Sequence, residues 1–209
     1  PYTFHNMSNL KKLFIANFSA TDNISASTGR DPNIKVPFTL DMNELSYLSY
    51  VDPRIGGYGV WFGGILVLSI FWLIYVIGSF VFKKQWSNLW LLLLPLIPTA
   101  LLLVFVSEAW WARYAPQMFI IPAVALVSLL LVGRKNLANV LIFVLLFNSI
   151  LTLSLQITGQ KSGLSYRDSE MKEVDALLEN GKYTPKLYLG DFNGLAYRYY
   201  ERYGKLVTV

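Results

Sequence analysis

The chain has 209 residues, of which 54% are hydrophobic and only 15% are charged, and its mean hydropathy is +0.42. Because soluble domains carry about 25% charged residues, this composition excludes a protein that is surrounded entirely by water. The 18 Lys and Arg residues outnumber the 13 acids, but they are dispersed and form no basic stripe, so we expect no nucleic acid partner.

Cysteine is absent and His5 is the only histidine, which excludes disulfides, thiolate chemistry and the usual zinc ligand sets within this chain. Any metal would need oxygen ligands, and we expect neither a metal site nor a cofactor. Pro1 opens the sequence, and the charged region, apolar run and cleavage site of a signal peptide do not follow it. We therefore expect the chain to be a fragment of a longer polypeptide.

The first predicted segment, residues 1–59, precedes every long apolar stretch. Apolar residues recur at helical spacing in two places, around Leu10–Phe18 and, more weakly, around Leu45–Leu48. A polar stretch rich in turn formers separates them, so we predict short helices that lie on the membrane surface. Pro53 and the three glycines before Val60 then predict a tight turn. A phosphate-binding loop is disfavoured because no strand precedes the turn and no Gly-Lys-Ser/Thr follows it.

Four apolar stretches follow, and each is close to the roughly 20 residues that a helix needs to cross a bilayer. They are residues 60–82, 88–106, 117–133 and 137–157. The first two hold no charged residue, the third is short and contains Pro122, and the fourth is interrupted by Asn148 and Gln156. The predicted fold class is therefore an α-helical integral membrane protein with about four transmembrane helices.

The charges between the predicted spans indicate their orientation. Lys83 and Lys84 follow the first span, and Arg134 and Lys135 follow the third, with no acid in either connection. Short positive loops of this kind stay in the cytoplasm. We therefore expect a multi-pass protein of the plasma membrane, whose first segment, second loop and carboxy-terminal tail are extracytoplasmic.

Residues 158–209 form the predicted tail. Asp168 or Ser169 is suited to cap a helix that ends at Gly181. The pattern continues with a strand, a helix and a second strand, at residues 186–190, 191–203 and 205–209. The tail is therefore predicted to be a small α/β unit of βαβ order. Because about fifty residues bury little core alone, we expect it to pack against the membrane domain or the outer segments.

The loop between the second and third spans, residues 107–117, combines charge with aromatic residues at the outer lip of two spans. Glu108 and Arg113 lie within it. The guanidinium of Arg113 is suited to hold the oxygens of a lipid-linked phosphate bidentately, and Glu108 is suited to orient Arg113 or to accept sugar hydroxyls. In the alternative interpretation Arg113 snorkels to ordinary headgroups, Glu108 is solvated and the tryptophans form an interfacial belt.

Arg113, Tyr114 and Pro116 form an Ala-Arg-Tyr-x-Pro sequence at the start of a predicted span, which resembles a segment of the polytopic GT-C glycosyltransferases. The strand that ends at Gly190 and the tyrosine-rich helix around Tyr197–Tyr200 resemble the outer-face α/β piece with which members of that group often end. The resemblance covers the chain from the second span to the last residue. Within that group the chain resembles the dolichyl-phosphate-mannose protein mannosyltransferases.

The resemblance implies transfer of a sugar from a polyprenyl-phosphate donor to an acceptor on the outer face, by direct displacement at the anomeric carbon with a carboxylate as base. The candidate substrate-binding residues are Arg113, Glu108 and Tyr114. In the family the catalytic acid belongs to the first outer loop of the full-length enzyme, and no segment of this chain matches that loop. The catalytic residue is therefore unknown.

Three acids on the predicted outer side are alternatives for the base, namely Asp41, Glu44 and Asp52, although Asp41 also suits a helix cap. Two other functions stay open: a transporter or flippase subunit for lipid-linked sugars, and a non-catalytic membrane scaffold. A transporter is expected to carry ionisable groups at mid-membrane depth. The predicted spans offer only Asn148 and Gln156 there, which argues against a transporter.

Overall fold

The computed structural model describes residues 7–22, 32–49 and 55–179. The chain divides into two compact units, residues 1–160 and 161–209. The described part of the chain forms six α-helices. They are α1 (Asn9–Phe18), α2 (Met42–Leu48), α3 (Phe62–Phe82), α4 (Trp86–Phe105), α5 (Ile120–Leu131) and α6 (Lys135–Glu179).

The two short helices predicted before the first span are confirmed as α1 and α2. The face of α1 that packs on the protein is not the purely apolar one. Ile15 and Ala16 are buried together with Lys12, while Leu10 and Phe14 are exposed. Apolar side chains on the outer face of an amphipathic helix suit a membrane interface better than water.

Close packing of α1 on α3 depends on Gly63. A Cβ atom at this position would collide with the backbone carbonyl of Asn17, which is unable to move without a shift of α1. We expect Gly63→Ala to lower the free energy of unfolding in detergent by about 1–3 kcal/mol, the usual cost of overpacking.

The matched control for Gly63 is Gly78, in the same helix. A Cβ atom at Gly78 would meet nothing within 4 Å, so Gly78→Ala should be neutral or slightly stabilising, because alanine favours the helix more than glycine does. Reversible denaturation of both variants measures the difference. Equal stability of the two would contradict the packing of α1 on α3.

Three helical stretches are long and apolar enough to cross a membrane: α3, α4 and Lys135–Tyr166 of α6. The described part of the chain is thus mostly helical, and three of the about four predicted transmembrane helices have the length and composition that a membrane crossing needs. Helices α3 and α4 begin and end within two residues of the first two predicted spans.

The third predicted span is shorter than expected. A 3-10 helix, Pro116–Phe119, leads into the 12 residues of α5, and Pro122 inside α5 has no N–H to donate. The helix ends at Leu131, and Gly133, two residues further on, has a φ of +76°. The N–H groups of Gly133 and Arg134 donate to the carbonyls of Leu130 and Leu129, the hydrogen-bond pattern of a Schellman motif.

The fourth predicted span continues into a longer helix than expected. Residues 158–179 are helical throughout, so Asp168 and Ser169 lie inside α6 and do not cap a new helix, which corrects the predicted tail. The physical reason is that no proline interrupts this stretch. Gly159 does not break the helix either; it gives room to the backbone carbonyl of Ser49, with which a Cβ atom would collide.

The predicted strands at 186–190 and 205–209 lie outside the described residues. No strand forms within residues 7–22, 32–49 and 55–179, where bridge pairing is limited to Ser19 with Ile34 and Asp22 with Ile55. The α/β architecture of the tail therefore stays a prediction.

Helices α3, α4, α5 and the first part of α6 enclose one apolar core. Its buried members are Ile65, Leu73, Val76, Phe80, Leu89, Leu92, Ala125, Leu129, Ala138 and Leu141. The hydroxyls of Ser69, Thr99 and Ser128 donate to carbonyls of their own helices at 2.6–2.8 Å. These buried polar groups are thus satisfied without leaving the helix.

Candidate site in the loop between α4 and α5

The loop between α4 and α5 contains the three predicted substrate-binding residues. It is built from consecutive tight turns, including a 3-10 turn over Ala112–Tyr114. The N–H of Trp111 donates to the carbonyl of Glu108 at 3.0 Å, and the N–H of Tyr114 donates to the carbonyl of Trp111 at 2.9 Å. These bonds fold residues 108–114 into a short, defined structure.

Arg113 is exposed, but two aromatic rings position its guanidinium. The central carbon lies 4.5 Å from the centroid of the Trp111 ring and 4.7 Å from that of the Tyr114 ring. Its Nη2 donates to the Tyr114 hydroxyl at 2.6 Å. The two rings meet edge to face with centroids 5.2 Å apart, so they form a corner that holds the cation by its interaction with the ring faces.

Glu108 is half-buried and does not orient Arg113 directly. Its Oε2 accepts a hydrogen bond from Nε1 of Trp110 at 3.2 Å, and no ion pair joins it to Arg113 within the described residues. Trp110 stacks on Trp111 with centroids 5.7 Å apart. The acid and the guanidinium are therefore linked through the two stacked indoles of Trp110 and Trp111, for which the sequence alone predicts only a place in an interfacial belt.

Tyr58 supports the loop from inside the protein. Its hydroxyl donates to the carbonyl of Ala115 at 2.7 Å, and its ring stacks on Phe62 at 4.6 Å and meets Phe119 edge-on at 5.7 Å. Burial raises the pKa of the Tyr58 phenol, because the ionised form would lose its hydration. The hydroxyl therefore stays a donor at neutral pH and fixes the residue that follows the 3-10 turn with Arg113.

Helix α1 contacts the other end of the loop. Nδ2 of Asn9 donates to the carbonyl of Val104 at 2.8 Å, and Nζ of Lys12 donates to the carbonyl of Ser107 at 3.5 Å. These carbonyls lie in and just after the last turn of α4, where the helix dipole favours a cation. Lys12 is buried and brings to the loop a second positive charge, which no local sequence pattern predicts.

Asn148 of α6 fixes the turn that carries Tyr58. Its Nδ2 donates to the carbonyl of Tyr58 at 2.9 Å, and its Oδ1 accepts from the N–H of Trp61 at 3.0 Å. Between these two residues, Gly59 has a φ of +106°, and a Cβ atom there would lie 2.6 Å from the Asn148 amide. The polar residue that interrupts the fourth predicted span thus satisfies backbone groups at the amino end of α3.

Two of the three acids that are alternatives for the catalytic base lie in the described part of the chain, and both have structural roles. Asp41 accepts from a backbone N–H at the start of α2 at 2.9 Å. Glu44 is buried and accepts from Nζ of Lys35 at 2.6 Å and from the N–H of Thr21 at 2.8 Å. Asp52 lies outside the described residues. In the described part of the chain, no group of three or more His, Asp or Glu side chains is placed to hold a metal ion.

Arg113 is thus the described residue with the clearest binding geometry, and Tyr114 and Trp111 position it. The catalytic residue stays unassigned. Comparison of the chain with known protein families, with curated proteins and with solved structures finds no match.

Proposed function

We propose that this chain is part of a membrane glycosyltransferase that moves a sugar from a polyprenyl-phosphate donor to an acceptor on the outer face of the membrane. The observation that carries the proposal is the guanidinium of Arg113, held against the rings of Trp111 and Tyr114 where α4 and α5 meet the loop. A guanidinium that is already positioned loses little freedom on binding, and its fork matches two phosphate oxygens.

The proposal places this loop outside the plasma membrane. In this proposal α3, α4 and α6 cross the membrane, and the shorter apolar stretch Pro116–Leu131, which is about 26 Å long, makes the fourth crossing. A thinner local bilayer compensates for a mismatch of a few ångströms. The basic residues after α3 and α5 then face the cytoplasm, as short positive loops prefer.

Glu108 and Tyr114 complete the proposed site. The hydroxyl and ring of Tyr114 hold Arg113, as described above. Glu108 is anchored by Trp110 through Oε2, and its carboxylate is suited to accept hydroxyls of the sugar. In this proposal the catalytic carboxylate is neither Asp41 nor Glu44, because both are engaged in structural bonds.

A transporter for lipid-linked sugars has less support. No acidic or basic side chain lies within α3, α4 or α5, whereas coupling and substrate sites in transporters use such groups at mid-membrane depth. The amide of Asn148 is engaged by the backbone of Tyr58 and Trp61. A non-catalytic scaffold would not need a guanidinium that is held against two aromatic rings, as that of Arg113 is.

Replacing Arg113 by Ala tests the proposal. We expect transfer from a polyprenyl-phosphate sugar, measured with the reconstituted full-length protein, to fall roughly 10- to 100-fold. A hydrogen bond to a charged group is worth about 1.5–3 kcal/mol, and about 1.4 kcal/mol corresponds to a factor of ten. Arg113→Lys should recover only part of the activity, because lysine keeps the charge but lacks the fork.

Arg134 provides the matched control. Its guanidinium also lies over a tyrosine ring, that of Tyr75, at 5.7 Å, and its Nη2 donates to the hydroxyl at 2.8 Å, but it follows α5 whereas Arg113 precedes it. Arg134→Ala should leave transfer unchanged. Full activity of Arg113→Ala, or an equal loss in both variants, would contradict a donor-phosphate site at Arg113.

A further inference from the structure

One stretch of the amino-terminal segment exposes its apolar side chains to the surface and shields a charged one. We call residues 34–42 the apolar loop. Its five apolar residues at even positions are all exposed: Ile34, Val36, Phe38, Leu40 and Met42. Val36 and Met42 are 70% and 77% exposed, whereas the side chain of Lys35, which lies between Ile34 and Val36 in the sequence, is only 13% exposed. A segment surrounded by water would show the opposite pattern.

A largely buried ion pair holds the apolar loop in a defined conformation. Nζ of Lys35 lies 2.6 Å from Oε1 of Glu44 and also donates to the carbonyl of Thr39 at 3.4 Å. Oε2 of Glu44 accepts from the N–H of Asp41 at 3.0 Å. Both ends of the loop are thus tied to one carboxylate, so little conformational freedom is left to lose when the loop meets a partner.

Part of the backbone of the apolar loop is hydrogen-bonded within the protein. The hydroxyl and the N–H of Thr39 both donate to the carbonyl of Val36, at 2.6 and 3.2 Å, and the N–H of Lys35 donates to the carbonyl of Phe18 at 2.9 Å. Phe38 adopts a φ of +64°, which is rare for an aromatic residue and persists only where the surroundings fix it. Backbone groups that are already bonded within the protein lose no water partner when a segment enters a lipid environment.

Phe38 joins the apolar loop to the surface of the spans. Its ring meets that of Trp61 edge-on at 6.1 Å, and it occupies the space beside Gly64, in the first turn of α3, where a Cβ atom would lie 2.7 Å from the ring. Trp61 in turn stacks on Phe147 of α6 at 4.4 Å. Phe38 and Phe147 are both exposed, so the apolar surface of the loop is continuous with that of α3 and α6.

We propose that the apolar loop inserts into the bilayer beside α3 and anchors the amino-terminal segment to the membrane. The occupant of this surface is lipid, because the surface continues the apolar faces of helices that cross the bilayer. The exposed carboxylate of Asp41, which caps α2, limits the depth to the headgroup boundary. This anchor is independent of the proposed function.

Single cysteines with an environment-sensitive fluorophore test the proposal in the 209-residue chain, which has no cysteine of its own. Val36→Cys and Met42→Cys report on the loop. Asn43→Cys, also exposed but on the polar side of α2, is the control, and Phe71→Cys, on the exposed face of α3, is the lipid-facing reference. All four sites are exposed, so labelling should not disturb the fold, and circular dichroism checks this.

In phosphatidylcholine vesicles, the labels at 36 and 42 should shift their emission to the blue. Lipids with a spin label high on the acyl chain should quench them severalfold, as at 71, while soluble iodide quenches the label at 43. Iodide quenching at 36 and 42 without lipid quenching would overturn the proposal. A blue shift without lipid quenching would also overturn it, because a second protein or a second copy would then cover the loop.

Discussion

Replacing Asn148 by Leu should lower the free energy of unfolding by about 2–6 kcal/mol. Leucine keeps the branch at Cγ and suits a helix in lipid, so most of the loss comes from hydrogen bonds, although its larger size adds a packing cost. The N–H of Trp61 and the carbonyl of Tyr58 would both lose their partner, and each buried polar group without a partner costs about 1–3 kcal/mol. The loss should also loosen Tyr58, and with it the bond to Ala115 below the candidate site.

Asn88 is the matched control for this substitution. It lies exposed in the first turn of α4, and its amide makes a 3.5 Å contact with Gln85. Asn88→Leu should therefore change stability by less than about 0.5 kcal/mol. Reversible unfolding in mixed micelles measures both variants. If Asn148→Leu is as stable as Asn88→Leu, the amide of Asn148 does not hold the turn before α3.

Glu44→Ala should destabilise the amino-terminal segment by about 3–5 kcal/mol, the usual cost of breaking a buried ion pair on one side. The side chain of Glu44 is 1% exposed. Its removal leaves the largely shielded ammonium of Lys35 without its counter-charge, and the N–H groups of Thr21 and Asp41 lose their acceptor. Hydrogen exchange over residues 32–49 measures the effect, because this opening is local.

A double replacement separates the charge from the packing of this pair. Glu44→Leu with Lys35→Met removes both charges and keeps side-chain volume, so it should recover part of the stability that Glu44→Ala loses. The backbone N–H groups still lack their acceptor, so the recovery should be incomplete. Unchanged exchange in Glu44→Ala would show that the segment does not depend on this carboxylate.

The membrane helices could be predicted from the sequence because a lipid environment permits few backbone conformations. A backbone in hydrocarbon must satisfy its own hydrogen bonds, so a long apolar stretch is a helix, as α3 and α4 are. The stretch after Ile157 could not be predicted in this way. Its Gly, Ser and Lys residues suggest a loop, yet the hydroxyl of Thr158 donates back to the carbonyl of Ser154 and α6 continues.

The candidate site could be predicted only where its residues are neighbours in sequence. Arg113 and Tyr114 are adjacent, and their contact follows. The bond between Lys12 and Ser107 joins residues 95 positions apart, and that between Asn148 and Tyr58 joins residues 90 apart. Local patterns carry no information on such pairs. Glu108 differs from the prediction for another reason. The tight turn places the indole N–H of Trp110, and not the guanidinium of Arg113, within hydrogen-bond distance of its carboxylate.

Cysteine labelling at the two ends of α4 tests most directly whether this helix crosses the membrane and presents the Arg113 loop outside. Gln85 and Ser107 flank α4 and are both exposed, and the chain has no other cysteine. A membrane-impermeant maleimide should label Ser107→Cys in intact cells and Gln85→Cys only after permeabilisation. Labelling of both from the same side would contradict the transmembrane path of α4 and the outer position of the site.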